Sequence, residues 1–195
     1  DLRMSRGLGD VYKRQDIDPV MVFTVIGIIL AAVFVAMVIS ILLSIFIWNP
    51  LEVGCQKFFI NCKYGNAELG DIAYGFKNGY AHIGMIMFLR GLFTGLWMLL
   101  FIIPGIVKSY EYMMIPYLLA EHPEMTRQEA FAESKQMMDG NKWDAFVLDL
   151  SFIGWTLLGV CTFGILLVFY VEPYIYLTRA ELYHALKNNN KSVEF

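Results

Sequence analysis

Charge is scarce in this chain: Asp, Glu, Lys and Arg make up only 17% of it, against about 25% in an average soluble domain. Residues 20–48, VMVFTVIGIILAAVFVAMVISILLSIFIW, contain none at all. A helix that is apolar on every face for that length is a membrane span, because a bilayer core of ~30 Å calls for roughly 20 apolar residues. A secretory signal is excluded by length, since its apolar region is only about 7–15 residues and ends at small residues. Cysteine and histidine are equally sparse. Cys55, Cys62 and Cys161 form an odd set without CxxC spacing, and His82, His122 and His184 are isolated. Neither a disulfide framework nor a metal site is expected, and the thiols read as reduced and structural. No HExxH, phosphate-binding glycine loop or nucleophile elbow occurs, so the chain reads as non-enzymatic, without a cofactor.

What the chain has in abundance is hydrophobic surface. Hydrophobic residues reach 57%, aromatics 15% and the mean hydropathy is +0.53. These values point to an all-α, polytopic membrane bundle whose first partner is the lipid bilayer, and they argue against nucleic-acid binding. Residues 1–15, DLRMSRGLGDVYKRQ, are basic, lack apolar periodicity and read as adapter-derived rather than native, on a fragment whose own N-terminus is missing. The single membrane domain is then 16–195.

Five apolar helices are expected, at residues 20–48, 81–103, 106–120, 143–158 and 162–177. The second carries Arg90 near its middle, at a cost of about 2.5–3.5 kcal/mol that its Leu, Ile and Phe residues outweigh at about 0.3–0.6 each. The third carries Lys108, Glu111 and Pro116 and is too short to insert alone, so it needs bundle partners or is re-entrant. Turns at Pro104-Gly105 and at Gly159 and Gly164 make two hairpins. Between them lie the basic stretches 49–80 and 121–142 and the C-terminal tail, all on one face. The positive-inside rule makes that face cytoplasmic.

Two amphipathic interfacial helices are predicted within these stretches. One has Leu51, Cys55, Phe58, Phe59 and Cys62 on its apolar face. The other opens with the capping box Thr126-Arg127-Gln128-Glu129 and ends before Gly140, with Ala130, Phe131, Ser134, Met137 and Met138 as its apolar side. A weak parallel repeat relates 77–120 to 140–180, through Lys77-Asn78-Gly79-Tyr80 and Gly140-Asn141-Lys142-Trp143 and through the later Ile115-Pro116-Tyr117 and Glu172-Pro173-Tyr174.

Arg90, Lys108, Glu111, Asp149 and Glu172 are the candidate functional groups, because intramembrane charges face a bundle interior or a hydrated cavity. Counting helical rise from opposite faces pairs Arg90 with Glu172, and Lys108 with Glu111 locally. Asp144 and Asp149 diverge by ~140° on a helix and make no two-acid site. Small residues at Ala32, Ala36, Ser40 and Ser44, and at Gly91 and Gly95, allow helices to approach closely, within the chain or in a homo-oligomer.

The strings WNPLEVG at 48–54, GFK at 75–77, FIIPGIVKSYEYMMIPYLLAEHPEMTRQEAFAESKQMMDGNKW at 101–143, FVLDLSFIGWTLLGVCTFGI at 146–165 and Pro173-Tyr174 resemble a family of bacterial integral membrane proteins of unknown function, DUF975. The family pattern has a further basic helix and span before residue 20, and an apolar residue where Glu172 stands. The resemblance brings no activity, substrate or catalytic residue with it. A membrane scaffold or envelope component, with homo-oligomer or membrane-protein partners, is the expected role, and a small transporter or permease component the alternative.

Overall fold

A computed structural model describes residues 18–162 and 164–193; residues 1–15, read above as adapter-derived, lie outside them. The described residues form helices and turns and no strand. The chain divides into two compact units, Asp1–Leu42 and Leu43–Phe195. In the first, helix α1 (Pro19–Leu43) has no buried residue. Apolar on every face, it is long and hydrophobic enough to cross a membrane.

The second unit opens with a π-helical turn (Ser44–Trp48), and α2 (Asn49–Lys63) follows with Pro50 in its first turn. A 3-10 turn (Leu69–Ala73) and the short α3 (Tyr74–Lys77) lead into α4 (Tyr80–Leu100). Extended Phe101 reverses the chain into α5 (Ile102–Glu111), and a break at Tyr112–Met114 precedes α6 (Ile115–Glu121). Then come α7 (Arg127–Met137), α8 (Lys142–Ser151) and α9 (Ile153–Cys161). A second π-helical turn (Leu167–Val171) enters α10 (Glu172–Val193). Three helical stretches are long and apolar enough to cross a membrane: Pro19–Lys63, Tyr80–Leu100 and Lys142–Cys161.

Four of the five expected apolar helices are not continuous: 81–103 breaks at extended Phe101 and 143–158 at Phe152, between α8 and α9, and two others break more sharply. Residues 106–120 are split by the break after Glu111, and every residue from Met113 to Ala120 is buried in the core. That stretch has the bundle partners it needs. Residues 162–177 are interrupted by Gly164, at φ +81°, and by the π-helical turn.

The core gathers α2, α6, the first half of α4 and α10, with Tyr117 stacked on Tyr183 at 5.4 Å and Phe59 on Tyr176 at 5.2 Å. Helix α2 departs from its expected face. Its buried residues are Pro50, Val53, Gly54, Gln56 and Ile60, while Leu51, Cys55, Phe58, Phe59 and Cys62 are half-buried. The reason is close backbone approach: a Cβ on Gly54 would collide with the Ile72 carbonyl, and one on Gly75 with the carbonyl of Pro50. Asn61 donates to Asp71 at 2.8 Å and locks the same contact. By contrast, α7 forms as the sequence indicates: Thr126 Oγ1 accepts from the Glu129 amide, Glu129 accepts from the Thr126 amide at 2.8 Å, and Ala130, Ser134, Met137 and Met138 are buried.

Residues 77–120 and 140–180 share some local backbone features. Gly79 and Gly140, at φ +71° and +78°, precede α4 and α8. Irregular turns precede Pro116 in α6 and Pro173 in α10, and the Ser44–Trp48 turn before Asn49-Pro50 repeats the pattern a third time. Proline suits a helix's first turn because its missing N–H has no intrahelical partner there.

Gly91 and Gly95 have open space where a Cβ would stand, so their small size serves no contact within the chain. Gly54→Ala and Gly75→Ala should therefore destabilise the protein by roughly 1–3 kcal/mol through overpacking, whereas Gly91→Ala and Gly95→Ala should be neutral or slightly stabilising. Thermal unfolding in a detergent that keeps the protein monomeric distinguishes the two pairs.

Candidate functional site

The five candidate charges fall into three ion-paired clusters and one outlier. Arg90, on α4, donates through Nη1 to Glu52 Oε1 of α2 at 2.9 Å. The expected Arg90–Glu172 pair does not form; Glu172 is exposed at the start of α10 and makes no ion pair among the described residues. Counting rise from opposite faces assumed two uninterrupted helices, but the π-helical turn displaces Glu172 from that register. Glu52 lies in a helix whose charged residues were expected to face away from the bundle.

Glu111 holds the second cluster, at the end of α5. Lys108 Nζ donates to Oε1 at 2.7 Å, as the i,i+3 spacing predicts, and Lys142 Nζ of α8 donates to Oε2 at 3.1 Å. Ser134 Oγ of α7 donates to the Glu111 backbone carbonyl at 2.8 Å. The carboxylate side is only 5% exposed, so two charge-assisted bonds offset its loss of water. Lys108 also sits over the Trp97 and Tyr112 rings, at 5.8 and 5.6 Å.

Asp149 organises the third. It accepts from Arg179 Nη2 at 3.0 Å on one oxygen and from the Tyr110 hydroxyl at 3.0 Å on the other, tying α8 to α10 and α5. Asp144 does not share in this cluster. Lys142, Glu52, Arg179, Ser134 and Tyr110 were thus missed as partners, since nothing local marks contacts made 23 to 39 residues apart.

A fourth cluster stands away from the candidates. Glu121 Oε2 accepts from Tyr183 at 2.6 Å and from Lys187, and Lys63 pairs with Glu181 at 2.6 Å. Burial alone would raise the Glu121 carboxyl, but the hydrogen bonds from Lys187 and Tyr183 outweigh it and hold it below the usual carboxylate range. Tyr183 is pushed far upward by burial and by Glu121. Beside it His184, 5% exposed, buries an Nε2 that has no hydrogen-bond partner. Burial and the nearby Lys63 lower its imidazole, against the weaker opposing pull of Glu121 and Glu181.

Each cluster holds a cation against a carboxylate across two or more helices, and in two of them a tyrosine hydroxyl shares the carboxylate.

Two predictions test this reading. Arg90→Glu combined with Glu52→Arg should recover part of the loss seen with each single reversal, by thermal aggregation in detergent. Each single loss should lie between the ~0–1 kcal/mol of an exposed pair and the ~3–5 kcal/mol of a fully buried one. His184 is more basic in the unfolded chain, near ~6.5, than in the fold. Its stabilising contribution is therefore complete above that value and is lost as pH falls through it toward the folded pKa. Melting temperature should drop as pH falls below about 6.5, and His184→Gln should flatten that slope, leaving the Glu121 loss to appear only at lower pH.

No curated protein and no solved structure matches the chain. The family described as protein of unknown function, DUF975, matches residues 82–190. The matched region begins after 48–54 and 75–77, where part of the resemblance was read, and holds all five candidate charges. As it covers over half of the 195 residues, the chain belongs to the DUF975 family.

Proposed function

We propose that the protein is a non-enzymatic scaffold of a bacterial inner membrane, a helical body that lipid surrounds and to which copies of itself or other membrane proteins attach. One observation carries this reading. Arg90, Lys108, Glu111 and Asp149 are each neutralised within the chain, so none is left to bind or relay a solute. Transport would need a hydrated path beside Arg90, Asp149 or Glu172, and of these only Glu172 makes no ion pair among the described residues.

The basic stretches 49–80 and 121–142 and the C-terminal helix face the cytoplasm in this proposal, on the distribution of Lys and Arg. Gly91 and Gly95 supply an open helix face on which a second copy can pack closely.

Reconstituted into vesicles, the wild type and Glu172→Gln should show the same leak of monovalent ions, amino acids and sugars as empty vesicles, and native mass spectrometry in mild detergent should show assemblies larger than one chain. A solute flux that Glu172→Gln abolishes, from a protein that remains monomeric, would establish the transporter instead. For orientation, a membrane-impermeant maleimide should label Glu68→Cys, on a background with all native cysteines replaced by serine, in inverted vesicles and not in intact cells.

A further inference from the structure

We infer that the two hairpins of the second unit enter the bilayer only one leaflet deep, so that their tips end in the hydrocarbon instead of emerging on the far side. The inference rests on the proposed orientation only for which leaflet is entered.

The first observation is where exposed apolar surface begins. Along α4, Ile83, Gly84, Ile86 and Met87 are buried in the protein core, whereas nearly all of residues 91–107 are exposed. Leu99 is 85% and Ile103 77% exposed, at the very turn. Residues 92–100 rise about 13 Å, close to the ~15 Å of half a hydrocarbon core. The exposed helix α9 of the second hairpin, Ile153–Cys161 with 9 residues, has the same length.

The second is what stands beside the middle of α4. The Phe131 ring of α7 lies 5.8 Å from Phe93 and 4.9 Å from Tyr112, and Ser134 bonds the Glu111 carbonyl. Helix α7 exposes Arg127, Gln128, Lys135 and Gln136. A helix with that polar face cannot lie in hydrocarbon. The level of Phe93 and Glu111 is therefore at the headgroups, outside the hydrocarbon.

The third is the chemistry of the tips. Residues 96–107, LWMLLFIIPGIV, hold no charged, hydroxyl or amide side chain, as a turn meeting water would. At the reversal the Phe101 amide bonds the Trp97 carbonyl at 2.9 Å, the Gly105 amide bonds the Phe101 carbonyl at 3.0 Å, and Pro104 has no N–H to satisfy. In the other tip Thr162 turns inward. Its hydroxyl donates to the Gly159 carbonyl at 2.8 Å and accepts from the Leu166 amide at 3.4 Å, while the Gly164 amide returns to Gly159 at 3.0 Å.

Spin labels distinguish the two depths. In vesicles, on the cysteine-free background, Leu99→Cys should show a higher ratio of oxygen to water-soluble nickel-chelate collisions than Leu92→Cys, and Val160→Cys a higher ratio than Leu150→Cys. A spanning hairpin gives the reverse order, because its middle is then deepest. That reversal, or labelling of Leu99→Cys by an impermeant maleimide from the side opposite Glu68→Cys, would overturn the inference. If Glu68→Cys reacts from outside while Leu99→Cys remains deepest, the proposed orientation fails and the depth stands.

Discussion

Glu111 is the carboxylate on which the helical body converges. Its two oxygens hold lysines from α5 and α8, and its carbonyl holds a serine from α7. A buried carboxylate that loses its partners retains its desolvation cost, so all three helices are constrained to keep their relative positions. The break after Glu111 belongs to the same arrangement. By ending α5 there, the chain frees the carbonyl that Ser134 uses and turns the following residues, Met113 to Ala120, into the core.

The other ion pairs repeat this logic across different helix pairs: Arg90 with Glu52 joins α4 to α2, and Arg179 with Asp149 joins α10 to α8. An amphipathic helix would otherwise slide on its apolar neighbours, since nondirectional burial sets no register. Directional contacts between charges add the register that hydrophobicity lacks. Glycines at 54 and 75 contribute the complementary constraint, letting backbone meet backbone where side chains would force separation.

Local features were legible in the sequence and distant ones were not. The Thr126 capping box and the Lys108–Glu111 pair depend on residues three positions apart, so spacing suffices, whereas the turn expected at Pro104-Gly105 falls at extended Phe101, with Pro104 and Gly105 inside α5. Arg90 found Glu52 because α2 buries Val53, Gly54, Gln56 and Ile60, a face that hydropathy alone does not select: it contains a glutamine and a glycine, and it excludes two phenylalanines. The Glu172 assignment failed for a related reason. Depth was counted along ideal helices, and a π-helical turn changes both rise and direction without an apolar residue being lost. Membrane candidacy was plain for residues 20–48 and for two later stretches, since lack of charge over a long run is itself the signal.

Helix α1 has apolar residues on every face and none buried, which has an evolutionary consequence. Where no neighbour inspects a side chain's shape, exchange among Ile, Leu, Val, Phe and Met changes little, whereas one introduced charge near the centre costs about 2.5–3.5 kcal/mol. Such a segment tolerates exchange among apolar residues, and its constraint is hydropathy alone. Substitution is tolerated least around Glu111 and Asp149, whose partners hold them in place.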